Sequence, residues 1–488
     1  MTADPARQTA NGGHTTTAEG NATASPAAVP ARAAVPRQAP ADLTLTFVNE
    51  TTVRDVSAAG NEPEWLLADR LEALRAFDAL PVEANPLYTG YVDLRNARLA
   101  DVRPVAAGSR RAAPSADPKH LPEGASALAE IGEEGARSLV LSPEAKAAGV
   151  VLETLASLGA RDPRELRSLL EGGCTLPEGD KLAQLTRALW SDGLYLRIPD
   201  GVRLEAPVVL RWIVGTPGAA LLSRVVISVG EDAEVSVLEE QHGREDLPAD
   251  SLAQGFFAGT SEVRVGANST LSFAGLQDLP LSQVAFQHRS AVVGRGATLR
   301  WALAQLGTHV VRSRIDSVLE GDGSTVEQVE IVFGVSDQLF DLTSFATHVG
   351  RDTTGNLLSK GVLSDRSRAY FKGLAAIQGP AHGTDSYIGE FGMLLSRQAR
   401  SVAIPSLEID QPDCRRVAHA SSVGPIDESE IFYLMSRGLD REEARKFIVL
   451  GYLEPVVARV PLAEARDRLH ELLEARWDAS FGPHASVA

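Results

Sequence analysis

The chain has 488 residues, with 47 Lys and Arg against 64 Asp and Glu, a formal charge of −17 and two cysteines. That balance excludes nucleic-acid or anionic-membrane binding by bulk charge, because neutralising phosphates takes clustered Lys and Arg. Cys174 and Cys414 are too few and too far apart in sequence for a disulfide framework or a self-sufficient zinc or iron–sulfur site, which takes about four ligands.

The length allows two or three domains, each able to bury a core. Aromatics make up 5% of the residues, so the core must be built from layers of Val, Leu, Ile and Ala. No apolar run approaches the ~20 residues that span a bilayer. The start lacks a basic stretch followed by an apolar one, so no secretory signal is expected, and the setting expected is the reducing cytoplasm.

Residues 1–43 are Ala, Thr, Pro and Gly without apolar periodicity, the composition of a disordered tail. After a short strand-like stretch, NEPEWLLADRLEALRAFDALP places Leu67, Leu71, Leu74 and Phe77 at helical spacing, and Pro81 stops the pattern. Partner helices are expected in Ser142–Leu158, Arg164–Leu170 and Lys181–Trp190, with an exposed loop over Arg110–Pro122. Residues 44–190 therefore read as a mostly helical domain. Cys174 falls in the turn EGGCTLPEG with no histidine near it in sequence, and is read as a bystander.

From about Gly193 the period changes from 3.6 to 2. One cadence then recurs through VGEDAEVSV, VGANSTLSF, VGRGATLRW, EGDGSTVEQV, LSDRSRAYF and LSRQARSVA. In each, a turn residue precedes a small residue (Ala233, Ser269, Ala297, Ser324, Ser367, Ala399) and then alternating apolar positions. Hairpins would repeat faster, and βαβ units would show helices between strands. The first choice for residues 191–422 is a mainly β, right-handed parallel β-helix, and the second a β-sandwich. A solenoid ends in a strand with unpaired backbone groups. That edge, placed near Ser401–Ile409, is expected to be an intermolecular interface.

Residues 423–488 read as a helical domain. Asp427 with Glu430, and Asp440 with Glu443, have capping-box spacing. Gly438 stands past the first helix, and Pro461 opens a third with Leu462, Leu469, Leu472 and Leu473 on one stripe. So few helices cannot bury all their apolar residues among themselves, so some must face the β-domain or a partner.

Among candidate chemical groups, His419 in VAHASSVG has small neighbours and room for a soft or borderline metal. The bland alternative is a structural hydrogen-bonder at a strand end. Cys414, beside Arg415 and Arg416, would carry a depressed thiol pKa if those arginines faced it. His348 and His382 receive no role. Gly-x-x-x-x-Gly-Lys-Ser/Thr is missing, as are the Gly-x-Ser-x-Gly and His-Glu-x-x-His patterns, so nucleotide hydrolysis by this chain is not expected. Asp337 with Asp341 is the carboxylate pair a solenoid carbohydrate-active enzyme would need.

FYLMSRGLDREEARKFIVLGYLEPVVARVP in the tail, SKGVLSDRSRAYFKGL in mid-solenoid, and NEPEWLLADRLEALRAFDALP followed by PLYTGY resemble, in order, the SufB/SufD family of iron–sulfur cluster assembly proteins. The resemblance covers the chain after about Asn61. SufB-type members are expected to carry a cysteine where this chain has Ala399 and a glutamate where it has Ala420, so the chain looks like the SufD type. The resemblance implies a non-catalytic scaffold in the cytoplasm. It would pair with a SufB-like subunit through residues 395–410 and dock a SufC-like ATPase through residues 425–477. His419 would be its candidate iron or cluster ligand, for an iron–sulfur cluster held transiently and shared with SufB. A homodimer working with the ATPase is the alternative within the family, and a purely structural adaptor would tolerate His419→Ala.

Overall fold

The computed structural model describes residues 43–105, 114–172, 176–244 and 253–481. The tail 1–42, residues 110–113 of the expected loop, and Cys174 lie outside the described residues.

The N-terminal region begins with α1 (Glu50–Ala59) and α2 (Glu64–Ala79). Residues 50–59 are a helix although Thr51, Thr52 and Val53 favour strand, because the Asn49 side chain accepts from the Thr52 N–H and caps it. Further on come β1 (Arg103–Pro104), β2 (Ala127–Gly132), β3 (Gly135–Leu141), α3 (Pro143–Ala147), β4 (Val151–Thr154), α4 (Leu155–Arg161), α5 (Pro163–Gly172) and α6 (Lys181–Leu189). Helices thus predominate in residues 44–190, as expected, and the short strands among them are the addition. β2 pairs in parallel with the β-domain and forms an antiparallel hairpin with β3, and β4 adds antiparallel to the other sheet. Those short strands lack clean alternation because both faces of β2 are buried.

The β-domain alternates between two sheets. One takes β5 (Asp192–Ile198), β7 (Ala219–Val229), β9 (Gly255–Val265), β11 (Gln283–Val293), β13 (Val310–Leu319), β15 (Leu339–His348), β17 (Arg368–Ile377) and β19 (Arg400–Ile409). The other takes β6 (Val208–Val214), β8 (Glu234–Gly243), β10 (Thr270–Asp278), β12 (Thr298–Gln305), β14 (Thr325–Gly334), β16 (Thr354–Leu363), β18 (Thr384–Leu394) and β20 (Cys414–Pro425). Neighbours within each sheet are parallel. This is a β-solenoid, and the parallel pairing excludes the sandwich.

The repeated turn now has a cause. Asp232, Asn268 and Asp352 have φ of 53°, 58° and 54°, and Gly296, Gly323 and Gly383 take the matching place at 63°, 69° and 74°. Asp, Asn and Gly are the residues that enter this left-handed region most cheaply. The residue after each (Ala233, Ser269, Ala297, Ser324, Thr353, Thr384) is small and buried at the corner. Ser367 and Ala399 stand at the opposite edge of the coil, before β17 and β19, so the wide step from Ser324 to Ser367 crosses from one sheet to the other.

Inside the coils lie stacked apolar residues such as Val237, Phe273, Trp301 and Ile315, with the Phe273 and Trp301 rings 4.9 Å apart. The outer face of the odd-numbered sheet packs Leu222, Phe256 and Phe286 against Leu74, Phe77 and Leu185 of the N-terminal helices. The outer face of the even-numbered sheet packs Leu276, Ile331 and Val362 against α8 (Arg441–Val457) and α9 (Ala463–Phe481), which follow α7 (Glu428–Met435). At the C-terminal end of the stack, β19 and β20 are the last strands of their sheets among the described residues.

Candidate functional site

The open end is built by strand register. His419 pairs with Ile388, Ile388 with Leu357, Leu357 with Gln328, and Gln328 with Trp301. All of these partners are buried. Residues in register in a parallel pair share a face, so His419 continues an inward-facing row. It is exposed because, among the described residues, no strand stacks beyond β20. The expectation of a loop or strand-end histidine is therefore corrected: His419 lies in the middle of β20, a strand of 12 residues. CRRVAHASSVGP reads as a loop because an edge strand at an uncovered end buries little and shows no apolar alternation.

Beside β20 at the same end, β19 presents its last strand, Arg400–Ile409, with residues 401–407 half-buried and Glu408 and Ile409 exposed. The two edges thus run side by side, with unpaired backbone donors and acceptors on both. Val423 and Ile409 are exposed large apolar residues, one on each strand.

His419 stands alone as a ring donor. Among the described residues, no group of three or more His, Cys, Asp or Glu is placed to hold a metal ion. His419 is thus a single exposed imidazole at this end, short of a complete metal site.

Cys414 does not have the expected depressed pKa. Arg415 pairs with Asp352, and Arg416 holds Asp385 at 2.7 Å, so neither arginine serves the thiol. Burial, with Asp413 beside it, pushes the thiol up instead. The Sγ–H donates to the Gln411 carbonyl at 3.0 Å.

Asp337 and Asp341 do not form a catalytic pair. Asp341 is fully buried and locked between Arg312 (2.6 Å) and Lys372 (2.7 Å). Asp337 is exposed in a turn and faces His309 at 3.3 Å. Paired carboxylates in a glycosidase must both reach the substrate. His348 is buried between Thr353 and Ser386, and burial lowers its pKa to about 4. His382 is exposed, against Asp413 and Gln411.

The C-terminal helices present a second surface. Asp440 and Glu443 form the full capping box at the start of α8, whereas Asp427 caps α7 through the Ser429 N–H. The inward stripe of α9, Leu469, Leu473 and Trp477, is buried on the sheet. Outward, Phe432, Tyr433, Met435 and Phe447 are 73, 57, 41 and 64% exposed. Tyr433, Leu434, Phe447 and Ile448 line a groove of about 530 Å³ between α7 and α8. Contiguous exposed rings of this kind mark an interaction surface. The helical period predicted apolar excess here, but which residues stay outside is set by how α8 lies on the sheet.

A further residue escaped the sequence reading. Glu390 faces inward on β18, two positions beyond Ile388, and is buried although carboxylates seldom are. Its only signal is an acidic residue at an inward position of the alternation Ser386, Ile388, Glu390, Gly392.

Residues 212–452 match the family described as SUF system FeS cluster assembly, SufBD core domain. The chain is 27% identical over 446 residues to the iron–sulfur cluster assembly protein SufD of Bacillus subtilis (strain 168), covering 89% of this chain and 99% of that one. It is 23% identical over 450 residues to an iron–sulfur cluster assembly SufBD family protein of Staphylococcus aureus (strain MRSA252), covering 89% and 94%. A SufBD family protein of Staphylococcus haemolyticus (strain JCSC1435) is 24% identical over 450 residues. Among the described residues, no helix is long and apolar enough to cross a membrane.

Proposed function

The chain belongs to the SufBD family of iron–sulfur cluster assembly proteins and is most like SufD, and on that premise we propose that it is a non-catalytic scaffold subunit. It pairs through β19 and β20 with a SufB-like subunit in the cytoplasm. It docks a SufC-like ATPase through the rings exposed on α7 and α8, the chemistry of ATP belonging to that partner.

The observation that carries the reading is the shared end of the two sheets: among the described residues β19 and β20 both lack an outer neighbour, and His419 stands on the inward face at that end, open to solvent. A partner strand added to such an edge satisfies its backbone groups. It also closes the mouth of the solenoid over His419, so that the imidazole can contribute one ligand to a cluster whose remaining ligands the partner supplies. The cluster is cargo, held transiently at the joint. The domain limits that go with this reading are an N-terminal part to residue 190, a solenoid over 191–422 and an ATPase-docking part from 423.

Anaerobic affinity purification of the chain from its native cell tests this, with subunit masses, iron and acid-labile sulfide measured on the eluate. The expected result is co-elution of a SufB-like chain and an ATPase, with iron and sulfide. A chain that elutes as a monomer alongside an available SufB-like protein sinks the pairing. Two copies with the ATPase and no SufB-like chain replace it with the homodimer.

A further inference from the structure

Glu390 is a buried carboxyl with no charged partner in reach of a salt bridge among the described residues, unlike Glu239, which binds Arg289 in the same row. Along the row, Glu330, Ser359, Glu390 and Ser421 stand in register on β14, β16, β18 and β20. Ser421, exposed on the last strand, is all that lies beyond Glu390 in that row. One carboxyl oxygen has no hydrogen-bond partner. The other lies against Gly373 across the lumen, so close that a Cβ there would meet it at 2.8 Å. The backbone N–H of Ile404 on β19 faces the carboxyl. Ser421 and Ile404, which border it on that side, belong to β20 and β19, the two strands without an outer neighbour among the described residues.

His419 is the diagonal neighbour: it pairs with Ile388, two residues before Glu390 on the same inward face. One strand spacing across and two residues along puts their Cα atoms roughly 8 Å apart. Two inward side chains at that separation can converge on one ion. A buried oxygen with an unused lone pair, beneath edge strands and beside an imidazole, is unexplained by packing: leucine would fill the space without stranding an acceptor.

We propose that Glu390 is a cation ligand at the open end of the solenoid, receiving a divalent cation such as iron(II) beside His419. This rests on the reading that the open end handles iron-containing cargo. Burial raises the carboxyl to about 8, so it is held neutral at pH 7. On binding, the carboxyl O–H bond breaks and an oxygen–metal bond forms. The proton passes to water, and no electron moves. Storing the group neutral lets the empty lumen close without an unpaired buried charge.

The test is calorimetric titration of the full chain with Co²⁺ at pH 7, in two buffers of different ionisation enthalpy, so that protons released per cation are counted. Surface carboxylates, already ionised, bind without releasing protons, which separates them from this site. The wild type is expected to show one saturable site releasing about one proton. Glu390→Gln, which mimics the neutral acid and preserves packing, is expected to lose that proton and bind about tenfold or more weakly. Gly373→Ala, which crowds the carboxyl without removing it, should also weaken binding. Wild-type affinity and proton count in Glu390→Gln would overturn the proposal, as would the lack of a saturable site in the wild type. If Glu390→Gln is impaired while His419→Ala binds normally, the Glu390 assignment stands and the role of His419 falls.

Discussion

His419 and Ile388 are register partners on adjacent parallel strands, yet Ile388 is buried at 1% exposure and His419 is open to solvent. The same inward position is core one coil down and exposed surface at the last coil. The difference is only whether another strand stacks on top. An imidazole placed there contributes nothing to the packing of this chain alone. His419→Ala is therefore expected to leave the melting temperature within about 1 °C, consistent with surface substitutions away from packed features. In vivo it should lower cluster-enzyme activity while the complex still assembles. Unchanged cluster-enzyme activity would leave the histidine a purely structural role.

The edge itself can be blocked without touching the interior. Ile409 and Val423 are exposed on β19 and β20, and lysine on an edge strand is a recognised bar to strand addition. Ile409→Lys with Val423→Lys should keep the circular dichroism spectrum and abolish co-elution with a SufB-like partner. Retained co-elution would move the interface elsewhere.

The helical surface makes a separate demand. Phe447 and Phe432 are the most exposed large apolar residues on α8 and α7. Aromatic anchors at an interface commonly account for about 2 kcal/mol or more each. Phe447→Ala should weaken ATPase docking by roughly thirtyfold in a binding titration, with pairing to the SufB-like chain unaffected. Loss of both interactions together would mean that the variant had disturbed the fold.

Beneath the N-terminal region, Asp341 neutralises both Arg312 and Lys372, and Glu83 reaches Arg312 from the other side at 2.8 Å. Asp341→Asn removes the only ion-pair partner that Lys372 has among the described residues. The expected cost is about 3–5 kcal/mol, read as a lower urea midpoint with an unchanged slope. A midpoint within error of wild type would show that water reaches the lysine.

Two buried groups should shape stability against pH in opposite directions. Glu390 is raised from 4.5 to about 8 by burial. Across that window the folded chain keeps a proton that the unfolded chain releases, so stability falls as pH rises. His348 is lowered from 6.5 to about 4 by burial. Between those values the unfolded chain takes a proton that the folded chain refuses, so stability falls as pH drops. Above pH 6.5 only Glu390 contributes of the two. Glu390→Gln should flatten the decline from pH 6.5 to 8, by about 2 kcal/mol at most. A decline as steep as in the wild type would mean that the carboxyl is already ionised at pH 7.

Much of this could be read before any fold was known, because it is written in short-range patterns. Alternation from Gly193 onward, with Asp, Asn or Gly ahead of a buried small residue at each corner, specifies a strand, a left-handed turn and another strand wherever the coil lies. The capping box at Asp440 and Glu443 and the stripe of Leu469 and Leu473 are local in the same sense. Such patterns fix the solenoid, the helical tail and, through motifs in the right order, the family. They fix His419 as a residue of interest as well, but not its position in mid-strand. Where a strand is the last of its sheet, alternation disappears, since no neighbour asks for it. Only the tertiary structure decided that Asp341 is a buried counter-charge rather than one of a catalytic pair, and that Arg415 and Arg416 turn away from Cys414. It alone decided that Phe447 faces out and that Glu390 lies under the open mouth. Each of these depends on which distant strand stacks on which, and the free energy of a buried charge or an exposed ring is set by those neighbours and not by the residues adjacent in the chain.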